Sequence, residues 1–301
     1  MGTVFVAEFT TNHMGNLNLL LRMVDKAVEA GCSYIKMQKK DIDSFYSREK
    51  LDAPYLSPYG KTYRDYRSVF EFSREDFDRF DKKCREHQIE WFATVQDLRS
   101  LCFMLQFDLP LYKVASCNAR NVEFLREVAR RVPRQREIVL SVGGSTLSDI
   151  EQSLNVFHGH YVHVLHTVAE YPCPPQSLRL GNIATLRERF SSPTVSIGYS
   201  GHEEGFAATL AAVDMGARMV ERHFCLSRHS FVHHIECSLE PEEYRNMVEI
   251  VQSRCDLAPF YAALPEAAFD REFGMSTVER SFLIEQTYGR TYVGAKSDFK
   301  S

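Results

Sequence analysis

Short apolar runs rich in β-branched residues alternate with longer amphipathic stretches about eight times along the chain. This alternation is typical of parallel βαβ units, because strands covered on both faces are continuously apolar and their crossover connections are helical. We predict strands at 3–8, 33–38, 90–94, 111–115, 137–141, 162–167, 194–198 and 218–223. Eight such strands predict an α/β fold of the (β/α)8, or TIM, barrel type.

Helix signals fit the same plan. Leu20, Val24 and Ala27 recur on one face of a predicted helix at 17–30, and Gly31 supplies a C-terminal stop. Two further helix starts have capping-box spacing with Asp in place of the preferred Glu, namely Ser73 with Asp76 and Thr146 with Asp149.

The chain length is enough for one barrel and little more. A (β/α)8 barrel takes roughly 250 residues, so the 301 residues predict a barrel domain at 1–256 and a tail at 257–301 without a second domain. The connection at 39–73 is far longer than those of ordinary α/β units. Because it is rich in Tyr and Arg, we interpret it as a lid over a polar ligand, with a packed surface flap as the alternative.

Composition narrows the possible partners. The net charge of -4 is mild and the basic residues are scattered, which argues against nucleic acid and against an anionic membrane surface. No apolar run is long enough to span a membrane, and the N-terminus lacks the pattern of a signal peptide. The eight cysteines include no Cys-x-x-Cys pair, which is typical of reduced thiols in a cytoplasmic protein.

Two histidines follow the last two predicted strands, His202 in IGYSGH and His223 in MVERHF, 21 residues apart. In a barrel, the C-terminal strand ends converge on the active-site mouth. Neighbouring strand ends would therefore bring both imidazoles together, at a spacing suited to one divalent metal ion. The alternative is that each is a packed or solvated residue.

Two lysines lie within otherwise apolar strand ends, Lys36 in YIKMQ and Lys113 in LYKVAS. A buried lysine needs a partner. Together with strand-end hydroxyls they predict a cradle for a phosphate or a carboxylate, formed by Lys36, Lys113, Thr94, Ser116, Ser141 and Ser200. The alternative is that one lysine forms a Schiff base, as in metal-independent aldolases. The histidine pair argues against this alternative, because an enzyme with a metal ion does not need a Schiff base.

Further polar residues are expected near the mouth. Asn12 and His13 lie in a polar turn directly after the first strand and could help to shape the site. The segment SRHSFVHH follows the eighth strand and contributes His229, His233 and His234, which offer a base near neutral pH.

The order of the motifs resembles the N-acetylneuraminate (sialic acid) synthase family from about residue 5 to residue 255. The segments that carry the resemblance are AEFTTNHMGN, AGCSYIKMQ, WFATVQD, LYKVASCNARN, VLSVGG, VLHTVAEYPCP, VSIGYSGHEEG, GARMVERHF and CSLEPEEY. The resemblance implies a metal-dependent transferase in which phosphoenolpyruvate adds through C3 to the aldehyde of an open-chain sugar. Water attacks C2, phosphate leaves, and the product is a 2-keto-3-deoxy sugar acid.

The resemblance also assigns roles to residues of this chain. His202 and His223 become ligands of a divalent ion, manganese in the first instance and magnesium or cobalt otherwise. The phosphoenolpyruvate site comprises Lys36, Thr94, Lys113, Ser116, Ser141 and Ser200. The candidate catalytic residues are Glu8, Lys113 and His234, and the sugar-side candidates are Gln38, Tyr171, His234 and Asn12. A homodimer is expected from the family.

Several positions depart from the family pattern. Asn118 stands where a glutamate is usual, Val168 and Ala169 replace polar residues, Gly201 replaces an aspartate, and His234 aligns with an acidic residue that grips the sugar. The family's C-terminal antifreeze-like domain, which contacts the N-acyl group, is not expected here. An unspecified aldose is therefore a better expectation for the acceptor than an N-acetylated hexosamine, and the alternative is that a separate protein supplies the domain. A Schiff-base aldolase and a non-catalytic sugar-phosphate-binding scaffold remain the alternative functions.

Overall fold

Eight parallel strands close into a barrel in the computed structural model, which describes residues 2–285. The order around the barrel is β1-β10-β9-β8-β7-β6-β5-β2, and β2 pairs with β1. The strands are β1 Val4–Glu8, β2 Tyr34–Lys39, β3 Pro54–Ser57, β4 Gly60–Thr62, β5 Glu90–Val95, β6 Leu111–Val114, β7 Glu137–Ser141, β8 Val162–His166, β9 Val195–Gly201 and β10 Met219–His223.

Helices follow the barrel strands, as in the predicted (β/α)8 architecture, which is confirmed. They are α1 Leu17–Glu29, α2 Ile42–Phe45, α3 Arg48–Asp52, α4 Tyr63–Ser68, α5 Arg74–Glu86, α6 Leu98–Met104, α7 Val122–Arg131, α8 Leu147–Val156, α9 Asn182–Phe190, α10 Ala207–Asp214, α11 Pro241–Gln252, α12 Ala258–Tyr261 and α13 Thr277–Arg280. Short 3₁₀ turns occupy Ser116–Asn118, Pro175–Ser177, Ile235–Cys237 and Glu266–Phe269.

The barrel interior is filled by side chains at the end remote from the mouth. One layer contains large apolar residues from six of the strands, Val6, Phe92, Leu111, Val139, Leu165 and Met219. Because alternate residues of a strand point to opposite faces, the intervening residues pack outward against the helices. Polar side chains at the strand ends are therefore left facing the mouth.

The helix ends agree with the sequence signals. Gly31 lies at φ +81°, in the left-handed conformation that ends α1 and that glycine adopts without a Cβ penalty. Ser73 and Thr146 begin α5 and α8 with reciprocal capping boxes to Asp76 and Asp149. Aspartate therefore serves in the capping box in place of the longer glutamate.

The long connection at 39–73 is not a structureless loop. It contains α2, α3, a two-stranded antiparallel hairpin of β3 and β4, and α4. The sequence pattern did not predict the hairpin, because strands of four and three residues are too short to show a period of two.

The described part of the tail, residues 257–285, packs on the barrel. The amide of Leu180 donates to the carbonyl of Ala268 at 2.7 Å, and the amide of Gly274 donates to that of Ser145 at 3.1 Å. The rest of the predicted tail, residues 286–301, lies outside the described residues. Within residues 2–285, no helix combines the length and the apolar character needed to cross a bilayer. All eight cysteines fall in the described part of the chain, and none of them forms a disulfide bond there.

One buried ion pair holds the loop after β9 against β10. Arg222, fully buried on β10, donates to Glu203 Oε1 at 2.7 Å, to the Glu203 carbonyl at 2.6 Å and to Thr209 Oγ1 at 2.9 Å. Its position next to His223 fixes the end of the strand that carries this candidate ligand. Removing one partner of such a pair leaves an uncompensated buried charge.

We expect Arg222→Met to lower the free energy of unfolding by about 3–5 kcal/mol, because the carboxylate of Glu203 would stay buried without a cation. Urea denaturation would measure the change. The matched control is Arg126→Met, an exposed position on α7, for which a change within about 0.5 kcal/mol is expected. Equal effects of the two substitutions would contradict a structural role for the pair.

Candidate active site

A cavity of about 220 Å³ opens at the C-terminal ends of the barrel strands. It collects nearly all of the residues that the sequence singled out. Its walls include Glu8, Lys36, Gln38, Thr94, Lys113, Ser116, Ser141, Tyr171, Ser200, His202, His223 and His234. The convergence follows from the parallel strands, whose C-terminal ends all lie at one rim of the barrel.

Asn12, predicted as a sugar-side residue, does not line this cavity. Its side-chain amide donates to the carbonyl of Phe224 at 2.8 Å and to Ser238 Oγ at 3.0 Å. It therefore ties the turn after β1 to the segment after β10 and does not face a ligand. His13 is also buried behind the cavity, against the rings of Phe70 and Phe72.

Two lysines and two glutamates form a buried network at the base of the cavity. Lys36 Nζ pairs with Glu8, donates to Thr94 Oγ1 at 2.7 Å and lies 3.4 Å from Glu221 Oε1. Lys113 Nζ donates to the same Glu221 oxygen at 2.6 Å. Each lysine therefore has the partner that a buried ammonium group requires.

Glu221 is a cavity residue that the sequence analysis did not assign a role. Its position two residues before His223 on β10 was the available signal, since alternate strand residues face the same side. Burial by itself would raise the pKa of Glu221, but the ammonium groups of Lys113 and Lys36 outweigh it and hold the pKa at about 2. Burial lowers the pKa of Lys36 to about 7, although Glu221 opposes this shift.

Glu8 is held at both carboxylate oxygens. Its Oε1 accepts from the Thr10 amide at 3.0 Å and from Gln38 Nε2 at 2.9 Å, while Lys36 pairs with Oε2. Gln38 is thereby fixed in the same wall as Glu8. A carboxylate oriented in this way can hold a water molecule or exchange a proton with it.

Serine hydroxyls complete the base of the cavity. Ser200 Oγ donates to Glu221 at 3.2 Å, and Ser116 Oγ accepts from the Gly143 amide at 3.0 Å. Ser141 Oγ is buried and has no hydrogen-bond partner within the described residues. A buried hydroxyl without a partner is costly, so Ser141 is available for a ligand atom.

His202 and His223 lie side by side, with ring centroids 5.4 Å apart. The Nδ1 of His202 is 2.8 Å from the carbonyl of Val168, so this nitrogen carries the proton and Nε2 presents its lone pair. Burial lowers the pKa of His202 to about 3 and that of His223 well below its usual value. Both rings are neutral at pH 7, as metal ligands must be.

These two rings fit part of the coordination shell of a divalent ion. Within residues 2–285, no group of three or more His, Cys, Asp or Glu side chains is arranged to hold a metal. The remaining positions would therefore fall to substrate atoms or water, which is the arrangement of a catalytic site rather than a closed structural one.

Tyr171 and His234 close the side of the cavity next to the histidine pair. The centroid of the Tyr171 ring lies 4.2 Å from the centroid of the His202 ring and 4.3 Å from that of the His234 ring. Burial, together with His233, lowers the pKa of His234 to about 4. His234 is therefore a neutral imidazole at pH 7, and its role as a base stays a prediction. His229, in contrast, is exposed and lies outside the cavity wall.

The connection at 39–73 covers the mouth. Lys40, Phe45, Tyr46, Tyr63 and Arg67 all line the cavity. The connection is anchored on the far side of the mouth, where Tyr55 Oη lies 2.5 Å from His233 Nε2. Its position agrees with the interpretation as a lid. Its aromatic rings also pack against one another, as expected for a surface flap.

The tail supplies the opposite part of the cover. Phe282 and Leu283 line the cavity, and Glu279, almost fully buried, accepts from the Ala169 amide at 3.2 Å. Arg179 donates to the same carboxylate at 3.3 Å. The sequence pattern did not place this segment in the site, because its position at the mouth depends on contacts with distant residues.

Residues 23–257 match the NeuB family. This chain belongs to the NeuB family. N-acetylneuraminate-9-phosphate synthase of Drosophila melanogaster is 34% identical over 252 residues, which cover 82% of this chain and 66% of the relative. The human protein of the same name is 31% identical over 290 residues, which cover 94% of this chain and 79% of the human protein. The family resemblance and the class of enzyme predicted from it, a synthase, are confirmed at the level of the family.

Solved structures of two similar proteins agree with this family assignment. The N-acetylneuraminic acid synthetase of Leptospira borgpetersenii, in complex with citrate, superposes with a TM-score of 0.72 at 28% identity and covers 84% of each chain. Spore coat polysaccharide biosynthesis protein SpsE of Bacillus subtilis gives a TM-score of 0.75 at 25% identity, covering 92% of this chain and 76% of that one.

The departures from the NeuB pattern have local structural reasons. At Gly201, an added Cβ would lie 2.4 Å from Glu203 Oε2, so an aspartate there would require the Glu203 carboxylate to move. Asn118 donates to the carbonyl of Gln96 at 2.8 Å and does not line the cavity. Ala169 packs against Leu283 of the tail. The apolar residue at position 169 therefore lies against apolar side chains of the tail.

Proposed function

We propose that this chain condenses phosphoenolpyruvate with an open-chain aldose in a divalent-metal-dependent reaction, forming a 2-keto-3-deoxy sugar acid and phosphate. The observation that carries the proposal is one cavity that holds a lysine–hydroxyl cradle beside two neutral, adjacent histidines. Membership of the NeuB family, with relatives named as N-acetylneuraminate-9-phosphate synthases, supports it.

The donor occupies the base of the cavity in this proposal. Phosphoenolpyruvate carries a phosphate and a carboxylate, which match Lys36, Lys113 and the hydroxyls of Thr94, Ser116, Ser141 and Ser200. Binding would redirect the lysines from Glu8 and Glu221 towards the ligand. The partnerless hydroxyl of Ser141 would gain an acceptor at the same time.

The reaction forms a bond between C3 of phosphoenolpyruvate and the aldehyde carbon, whose oxygen takes up a proton. Water then adds to C2, and breaking of the C2–O bond releases phosphate and leaves the ketone. Glu8, fixed by Thr10 and Gln38, is placed to hold this water or to accept its proton. Lys113 and Lys36 offset the negative charge on the donor throughout.

His202 and His223 would hold the divalent ion, for which manganese is the first choice and magnesium or cobalt the alternatives. When bound, the ion supplies Lewis acidity that polarises the aldehyde oxygen. The neighbouring Tyr171, Gln38 and His234 form the sugar-side wall. A homodimer stays a prediction from the family.

The decisive assay incubates the purified protein with phosphoenolpyruvate, manganese chloride and a panel of aldoses and measures phosphate release. We expect release only when donor, aldose and metal are all present, and loss of release on addition of EDTA. Release that is absent with every aldose, although phosphoenolpyruvate binds in calorimetry, would favour the non-catalytic scaffold.

A Schiff-base aldolase is the second candidate, because burial lowers the pKa of Lys36 to about 7 and thereby favours its neutral, nucleophilic amine. Borohydride with pyruvate separates the two functions. We expect no covalent adduct by intact-mass spectrometry and no loss of phosphate release after removal of the reagents. An adduct on Lys36 or Lys113, with activity that ignores EDTA, would contradict the condensation mechanism.

A further inference from the structure

Cys237 is a buried cysteine that has no part in the reaction as proposed above. It ends the 3₁₀ turn Ile235–Cys237 and is 1% exposed. Its sulfur lies 3.6 Å from Nδ1 of His223 and 3.1 Å from the carbonyl oxygen of His234. One thiol therefore contacts a candidate metal ligand and, at the same time, the backbone of a sugar-side residue.

The directions of these two hydrogen bonds follow from the His234 carbonyl. A carbonyl oxygen can only accept, so the contact at 3.1 Å requires the thiol of Cys237 to donate its S–H. Because that proton points to His234, the sulfur faces the His223 ring with a lone pair. Nδ1 of His223 therefore carries a proton and donates it to the sulfur.

Both histidines of the pair are then the same tautomer. Nδ1 of His202 donates to the carbonyl of Val168 at 2.8 Å, and Nδ1 of His223 donates to Cys237. In each ring Nε2 keeps its lone pair, and both rings line the cavity. The ring nitrogen without a proton is the one that can bind a metal ion. The two partners differ in strength, because a sulfur atom is a weak acceptor.

Backbone hydrogen bonds hold Cys237 in this position. Its carbonyl accepts from Nη2 of Arg222 at 3.3 Å. The amide of Leu239 donates to the carbonyl of His223 at 2.8 Å. The segment at 237–239 is therefore attached to β10 on both sides of the thiol, so that the sulfur and the His223 ring stay in contact.

We infer that Cys237 is a positioning residue for His223: its thiol accepts the Nδ1 proton and thereby holds the ring as the tautomer whose Nε2 is free for a divalent ion. The inference rests on the proposed function for the ion, whereas the tautomer is a property of the protein alone. Groups that orient a ligating histidine through its second nitrogen typically change metal affinity by about tenfold to a hundredfold. The sequence did not indicate this role, because Cys237 is 14 residues from His223 and reaches it through a loop.

Nitrogen-15 NMR of the metal-free full chain, labelled at its histidines, tests the tautomer directly. We expect the His223 signals of the wild type to be those of a neutral imidazole protonated at Nδ1, and His223→Gln identifies these signals by their absence. In Cys237→Ala the buried N–H loses its acceptor, which is costly. The proton is therefore expected to move in part to Nε2, so that this variant shows a mixture of tautomers.

Manganese affinity measures the consequence. The ion is titrated into the metal-free protein, and the electron paramagnetic resonance signal of free manganese is followed. We expect Cys237→Ala to bind manganese about tenfold to a hundredfold more weakly than the wild type. Cys237→Ser keeps a group that can donate and accept, and it should recover most of the affinity. The control is Cys225→Ala, which removes the same atom from an equally buried position; in the described part of the chain no hydrogen bond joins the Cys225 thiol to a histidine ring. Its affinity should be unchanged.

Three results would overturn the inference: an unchanged His223 tautomer in Cys237→Ala, manganese binding by that variant as tight as by the wild type, or equal losses of affinity in Cys237→Ala and Cys225→Ala. A serine variant that binds no better than the alanine variant would also overturn it, because only the volume of the sulfur would then matter. Failure of the wild type to bind manganese would instead contradict the proposed function. The tautomer measurement uses no metal, so it decides the inference in that case as well.

Discussion

Lys113→Met is expected to abolish measurable phosphoenolpyruvate binding and to reduce phosphate release by about a thousandfold, the upper range for loss of one preorganised charge-stabilising donor. Lys113 lies at the centre of the predicted cradle, and its ammonium group donates to Glu221 at 2.6 Å. Its loss removes a charge from the proposed phosphoenolpyruvate site and also leaves Glu221 with Lys36 as its remaining cation, at 3.4 Å. Calorimetry would measure donor binding, and a phosphate assay would measure turnover.

A second variant separates binding from folding. Lys113→Met alone should lower the free energy of unfolding by about 3 kcal/mol, because a buried carboxylate loses its nearest cation. The double variant Lys113→Met, Glu221→Gln removes that charge and should recover most of the stability in urea denaturation. It should not recover phosphoenolpyruvate binding. Recovery of both would show that Lys113 acts only as a structural partner of Glu221.

The double variant His202→Ala, His223→Ala is expected to lose bound manganese and, with it, metal-dependent phosphate release. Both rings are neutral at pH 7, and the described residues provide no further side chains in a metal-binding group. In the proposed site these two histidines are the protein ligands, and their loss should weaken manganese binding by more than the roughly hundredfold typical of changes to groups that merely orient a ligand. Elemental analysis after dialysis against manganese would measure the occupancy.

The control for this experiment replaces two exposed histidines, His158→Ala and His229→Ala, which preserves the number of imidazoles lost. It should bind manganese like the wild type. Phosphoenolpyruvate binding in the absence of metal should survive in the His202→Ala, His223→Ala variant, since the lysine–hydroxyl cradle remains. Unchanged manganese occupancy in that variant would contradict the metal assignment.

The strands of the barrel could be predicted because they depend on local pattern. Each barrel strand is a short apolar run, and its position agreed with the structure to within a few residues; the largest difference is β9, which extends to Gly201. Lys36 and Lys113 stood out for the same reason, since a charged residue interrupts an apolar strand. Glu221 was overlooked as a partner because the sequence does not show which strand ends face each other across the barrel.

Asn12 is a residue for which the sequence predicted a role in the site that its contacts do not support. Its place in a polar turn after β1 suggested a sugar contact, but its amide is used by Phe224 and Ser238, more than 200 residues away in the chain. Hydrogen bonds of this kind depend on which loops meet after the barrel closes. The sequence can indicate that a polar residue lies near the mouth, but not whether it faces the cavity or the protein.

The sequence by itself determined the barrel, the order of the motifs and the residues at the strand ends, because apolar periodicity and strand-end polarity are properties of neighbouring residues. The tertiary structure decided what covers those residues. The connection at 39–73 places Arg67 and Lys40 in the cavity wall, and the tail adds Phe282 and Leu283. These contacts join segments far apart in the chain, and burial then lowers the pKa values of Lys36, His202 and His234. A local pattern contains no information about either effect.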